Sequence, residues 1–261
     1  MSGIRLERTG PVAHIVLDRP ETLNALSVAM WHELRGIVRR LASDRSVRVV
    51  AIRGAGERAF SAGADIREFP SRRSGLARAR AYDRLVSAAL AAIQGAPQPV
   101  IAVIRGLAVG GGLELAAACD IRLAAQDARF GLPYGRLGVM PGLGETRALL
   151  RLLPPGKLIE LVFRGELIDA EEAWRLGLVS EVVPVEELEL ATQRWIDRLL
   201  SMSAETLQAM KAVVQLAVRG ATENDVSYRD LLATVYEGVA FHEGVRAFLE
   251  KRAPNFPQYR A

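Results

Sequence analysis

Apolar residues recur along this chain in two rhythms. Short unbroken runs, VAHIVL at 12–17, RVVAIRG at 48–54 and VIAVIRG at 100–106, read as strands, and DIRLAA at 120–125 reads as one more. The first ends at a DRP turn; the second runs into the glycine-rich GAGERAFSAGAD. Between them the apolar positions take helical spacing. LSVAMWHELRGIVRRLA at 26–42 predicts a helix opening after Asn24, a candidate cap. A second helix is expected over 76–94, between the polar PSRRSG break and the GAPQP punctuation.

Two segments echo each other. VVAIRG-AG, starting at residue 49, and IAVIRG-LA, starting at residue 101, share an IRG turn, and each delivers a strand into a loop of small residues. Strands alternating with helices point to an α/β fold with parallel pairing, and the echo suggests a chain that turns in a regular spiral. From about residue 186 the pattern changes. EELELATQRWIDRLL, AETLQAMKAVVQLAV and DLLATVYEGVAFHEGVRAFLEKR are helical throughout. The expected division is therefore an α/β core over 1–195 and a helical C-terminal region over 196–261, which packs on the core or on another subunit.

Composition narrows the function. The 261 residues are 50% hydrophobic and 25% charged, as in ordinary globular proteins. No apolar stretch is long enough to span a membrane, and MSGIRLERTG does not resemble a secretory signal, so a soluble, cytoplasmic protein is expected. Cys119 is the only cysteine, which excludes an intrachain disulfide; in the apolar AAACD run it reads as a packed thiol. His14, His32 and His242 show no metal-ligand spacing, so no metal is expected. The net charge of +4 favours an anionic ligand. The arginines are scattered, with no dense basic run interleaved with aromatics, and nucleic-acid binding is not expected.

The candidate chemistry lies where the echoed strands end. In LAVGGGLELAAACD, 107–120, three glycines stand in front of a helix-prone run, and Glu114 follows closely. Glycine admits backbone conformations and close approaches that a Cβ forbids, and a helix start presents unpaired N–H donors. The stretch reads as an anion or oxyanion site, and FSAGAD at 60–65 has the same character on the other unit. Each loop can contribute one backbone donor to the same oxygen.

RAFSAGADIRE, VIAVIRGLAVGGGLELAAACDIRLAAQDARFGLP and LGVMPGLGETRAL, followed by AEEAWRLGLVSEVVP and EGVRAFLEKRAPNF, together resemble the enoyl-CoA hydratase/isomerase (crotonase) superfamily, over essentially the whole chain. The resemblance implies a crotonase-like spiral of ββα units with a helical C-terminal trimerisation region, assembled as a trimer or dimer of trimers. It implies that the N–H groups of Ala64 and Gly111 polarise an acyl-CoA thioester carbonyl. Ala62, Ala64, Asp65, Ile66, Arg67 and Gly111 match the segments beside bound CoA. Phe248 and Lys251 match residues near its adenine and phosphate, in the family often supplied by a neighbouring subunit. CoA arrives as part of the substrate, and no separate cofactor is implied.

Hydratases of this family use two glutamates. The first matches Glu114. The second belongs in an FGxPE pattern, but this chain reads FGLPY, so Tyr134 stands in its place. A phenol is a poor proton shuttle near neutral pH. Glu145, where the family commonly has glycine, is the candidate replacement; the simpler expectation is a helix-terminal surface charge near Arg147. The expected activity is enoyl-CoA hydration. The alternatives are isomerisation, another crotonase-type lyase or decarboxylase step, or a low-turnover acyl-CoA-binding protein.

Overall fold

The structure, a computed structural model, describes residues 3–256. It opens with a hairpin of β1 (Ile4–Thr9) and β2 (Val12–Leu17). β1 lies at a sheet edge, and its exposed Arg5, Glu7 and Arg8 discourage pairing with a stray strand. The first helix, α1 (Val28–Ser43), starts two residues later than its apolar rhythm suggested. Its cap is Ser27, whose hydroxyl accepts a hydrogen bond from Met30 N at 3.2 Å. Asn24, expected as the cap, is instead wholly buried in the left-handed region at φ 56°. Its amide donates to the carbonyls of Ala55 and Ala59 at 2.9 and 2.8 Å, which ties the start of the chain to the next unit.

Three successive units then share one plan: a long strand, a short strand in a second sheet, and a helical return. β3 (Val49–Gly54) leads to β4 (Ala59–Ser61), α2 (Phe69–Arg72) and α3 (Leu76–Gly95). β5 (Val100–Ile104) leads to β6 (Leu107–Val109) and α4 (Gly111–Ala118). β7 (Ile121–Ala125) leads to β8 (Arg129–Gly131), α5 (Tyr134–Leu137), α6 (Leu143–Leu150) and α7 (Pro155–Arg164). The spiral finishes with β9 (Ile168–Asp169), α8 (Ala170–Arg175) and β10 (Glu181–Val183).

The long strands make a six-stranded sheet in the order β1-β2-β3-β5-β7-β10, and the short ones a four-stranded sheet, β4-β6-β8-β9. Consecutive units pair in parallel in both sheets, Val50 with Val100 in one and Ala59 with Leu107 in the other. The two echoed segments therefore lie side by side. Alternate residues of each long strand enter different cores. Val50, Ile52, Ala102 and Ile104 join the large cluster containing Trp31, Leu34 and Leu90, while Val49, Ala51, Ile101 and Val103 meet the opposite layer. Burial on both faces explains the unbroken apolar runs of β3 and β5.

That opposite layer is α9 (Leu188–Ser201), which contributes Leu188, Ala191, Ile196 and Leu199. The division at 195/196 thus falls inside a continuous helix that packs on the sheet. Beyond it come α10 (Ala204–Val218), α11 (Val226–Tyr236) and α12 (Val239–Leu249). Lys211 of α10 reaches Asp120 at 2.7 Å, whose carboxylate also accepts from Val100 N at 2.8 Å. No helix among the described residues is long and apolar enough to cross a membrane.

Candidate active site

The two glycine-bearing loops meet at the ends of β4 and β6. Gly63 has φ 97°, and a Cβ there would stand 2.6 Å from Val109 O and 3.3 Å from Gly111 N, so only glycine lets the loops abut. Leu26 N bonds Gly63 O at 2.7 Å and Asp65 N bonds Leu26 O at 3.0 Å. This parallel bridge engages the residues on either side of Ala64 and turns the N–H of Ala64 itself the other way. Gly111 opens α4, so its N–H has no intrahelical acceptor. A Cβ on Gly111 would lie 3.5 Å from Ala64 N and 3.7 Å from Glu114 Oε2, which places the two loops and the carboxylate around one small space. Gly112 serves packing: a side chain there would strike the Ser61 carbonyl, so α4 docks directly on β4. Two neighbouring N–H donors at such a point can stabilise negative charge on a single oxygen.

Glu114 sits in the first turn of α4 and is only 6% exposed. Burial pushes its carboxyl up to about 7, and the nearby Glu145 pushes in the same direction. The Tyr134 hydroxyl, presented by α5, donates to Glu114 Oε1 at 2.5 Å and opposes that rise by favouring the carboxylate. Tyr134 is itself buried beside this carboxylate, which holds its own ionisation far above neutral pH and keeps it a phenol. Glu145 is not the surface charge near Arg147 that its helix-start position suggested. The first turn of α6 turns it inward, 2% exposed, where Ser87 Oγ donates to its Oε2 at 3.1 Å. Burial raises its pKa as well. Two buried acids of raised pKa, one held by a phenol and one by a serine, can divide base and acid roles near neutral pH.

Glu114, Tyr134 and Glu145 line one cavity of about 540 Å³ together with Ala62, Ala64, Ile66 and Gly111. Phe69, Leu107, Val139 and Leu167 make much of its wall apolar. Asp65 and Arg67, expected beside the ligand, are not among the lining residues. Asp65 accepts from Arg67 at 2.8 Å and Arg19 at 3.1 Å, and these guanidiniums hold its carboxyl at about 2. Its part is to anchor the loop that presents Ala64. Phe248, 83% exposed, and Lys251, just beyond α12, also lie outside the cavity lining of this chain. Cys119 is buried and bonds Leu115 O at 3.4 Å, consistent with a packed thiol. No cluster of metal-ligating side chains occurs among the described residues.

Three residues of the site were not singled out by the sequence: Arg73, Tyr82 and Ser87. Arg73 falls in the PSRRSG break, which carries no periodicity to single it out. Tyr82 follows the buried stripe of α3 with Val86, Ala89, Leu90 and Ile93, so pattern alone assigns it to the core. Only the contact of α3 with α6 reveals that Ser87 holds an acid.

The fold and site define a class: a ββα-spiral protein whose echoed loops and buried acids share one largely apolar cavity. Residues 7–259 match the enoyl-CoA hydratase/isomerase family, and the chain belongs to that family of enzymes. It is 36% identical to the crotonyl-CoA hydratase of Syntrophomonas wolfei over 254 residues, covering 97% of each chain. It is 35% identical to the (E)-benzylidenesuccinyl-CoA hydratase of Thauera aromatica, covering 97% of this chain and 98% of that one. A crystal structure of an enoyl-CoA hydratase/carnithine racemase from Magnetospirillum magneticum superposes with a TM-score of 0.93 at 35% identity, over 99% of this chain and 96% of that one.

Proposed function

We propose that this protein is an enoyl-CoA hydratase that works without the family's usual second glutamate. The observation that carries the reading is the convergence of Glu114, Tyr134 and Glu145 beside the N–H groups of Ala64 and Gly111. The thioester carbonyl accepts hydrogen bonds from those two N–H groups, which are fixed in advance where enolate charge develops. Glu114, as carboxylate, takes a proton from water as the water oxygen bonds to C3. Tyr134 holds the other carboxylate oxygen and favours the ionised form of Glu114. Glu145, whose burial favours the protonated form, delivers a proton to C2. Afterwards the proton left on Glu114 returns to Glu145, so one water is consumed per turnover and both acids are reset. CoA enters as part of the substrate, with no further cofactor.

The exposed apolar faces of the C-terminal helices favour a homo-oligomer, a trimer or dimer of trimers, in which Phe248 and Lys251 reach the CoA of a neighbouring copy. Hydration of crotonyl-CoA, followed by loss of the conjugated thioester absorbance, tests the reading. Wild type is expected to turn over, Glu114→Gln and Glu145→Gln to lose most of the rate, and Tyr134→Phe to retain part of it. Absence of turnover alongside measurable acyl-CoA binding would move the assignment to isomerisation, another lyase step, or a binding role. Light scattering over a concentration series checks the assembly.

A further inference from the structure

Arg73 lines the same cavity as both acids, and its charge favours their carboxylate forms without direct contact. Its side chain is 15% exposed. The guanidinium lies over the rings of Phe69 and Tyr82, 5.1 and 4.8 Å from their centroids, in the angle that these two edge-on rings form with their centroids 6.4 Å apart. One nitrogen, Nη2, donates to Met140 O at 2.9 Å and stands 3.9 Å from Asp83 Oδ1, beyond hydrogen-bond reach. Neither Glu114 nor Glu145 forms an ion pair with it, and its remaining N–H groups meet no acceptor among the described residues. A mostly buried cation with spare donors, whose one ion pair is the loose contact with Asp83 and which stands near Ile66, Phe69, Val139 and other apolar groups, gains from a closer partner. Guanidinium donors match a carboxylate in a bidentate pair, and a pre-oriented guanidinium loses little freedom in making one.

Resting on the acyl-thioester reading above, we propose that Arg73 is a specificity-determining residue and that the cavity takes acyl groups carrying a second carboxylate at their far end. The thioester end sits at Ala64 and Gly111, the reacting carbons face the acids, and the distal carboxylate pairs with Arg73. Arg136, the other cation of the lining, stands exposed to solvent, which weakens any pairing there, whereas a plain alkyl chain leaves the spare donors of Arg73 unmet. Selectivity for the charged end follows from both effects.

The test compares glutaryl-CoA with valeryl-CoA, matched in carbon number and inert to hydration, by calorimetric binding to wild type, Arg73→Leu and Arg73→Lys. Wild type is expected to bind glutaryl-CoA at least tenfold more tightly. Arg73→Leu should bring that ratio close to one, and Arg73→Lys, which keeps charge without the planar fork, should restore part of it. Equal binding of the two ligands by wild type, or a preference that survives Arg73→Leu, overturns the proposal. Turnover of glutaconyl-CoA and 2-pentenoyl-CoA tests the hydratase reading separately. A binding preference without turnover of either substrate sinks hydration and leaves the role of Arg73 standing; turnover without the preference does the reverse. If Arg73 only steadied the two acids, Arg73→Leu would shift the pH profile and slow both substrates alike, with the binding ratio unmoved, and that too overturns the proposal.

Discussion

The spiral and the C-terminal helices carry similar amphipathic sequence, yet the chain covers them very differently. In the spiral, α1 buries Met30, Trp31, Leu34, Ile37, Val38 and Leu41 along one face. Past α9, α10 buries only Ala209, α11 buries nothing, and α12 buries Ala240, Glu243 and Ala247. Val218, Val239, Phe248 and Leu249 stand well exposed. The end of α12 is fastened instead by polar bonds, with Glu243 accepting from Arg252, Arg246 and Asn255 N. An apolar helix face requires a covering surface, but nothing in its pattern says which chain supplies it. The inner helices of the spiral, α1 among them, find theirs within the chain, and the spiral can hold buried acids out of water. The C-terminal helices leave theirs open, which is why a second copy is the proposed cover.

The sharpest test of what the spiral's burial achieves is Glu114→Gln. It should lower turnover by about a thousandfold, on the order of 4 kcal/mol at the barrier, in steady-state kinetics at neutral pH. The same substitution should stabilise the fold. A carboxyl held at about 7 instead of its ordinary value favours folding only while protonated, and that contribution is lost as pH rises through 7. Glu114→Gln should therefore melt higher than wild type at pH 8, by roughly 1–3 kcal/mol in chemical denaturation, with the gap closing toward pH 5.

Packing gives the next effect. Phe60, fully buried on β4, should cost about 3–5 kcal/mol when truncated to alanine, measured by urea unfolding. Asp65→Asn should cost about 2 kcal/mol at pH 7, because it leaves Arg19 and Arg67 without their shared carboxylate. Asp65 is held at about 2, so its contribution is present above its ordinary pKa and fades as pH falls toward 2. The wild-type advantage over Asp65→Asn should shrink accordingly in acid.

Smaller shifts separate the roles of the groups around Glu114. Tyr134→Phe removes a hydrogen bond to the carboxylate, so the acidic limb of the rate profile should move to higher pH. The smallest stability effect is expected from Phe248→Ala, within about 0.5 kcal/mol for the dilute chain. Its visible consequence should be a lower assembled mass in light scattering. A large loss of stability in the dilute chain would erase the contrast between the two regions.

Much of this organisation was legible beforehand. The echoed IRG turns anticipated parallel neighbours, and β3 and β5 pair in parallel as their buried runs suggested. The strands of the second sheet were harder to read. β4, β6 and β8 are three residues each, too short to show a period, and they overlap glycine-rich stretches that read as loops. Asn24 resembled a cap because Asn commonly caps helices, but its amide was needed to bridge Ala55 and Ala59. Glu145 resembled a dipole-friendly surface charge because any first turn favours an acid.

The amino-acid sequence by itself determined the elements with a strong period, the small residues that let two loops approach, and the identity of the acids, since each depends on neighbours a few positions away. Only the tertiary structure decided which acids share a cavity and what holds them. The Tyr134 hydroxyl meets Glu114 and Ser87 meets Glu145 because the spiral stacks units far apart in the chain. The ionisation of Glu114 follows from that stacking. Its rise comes first from burial, and burial belongs to the assembled layers and not to any local run of residues.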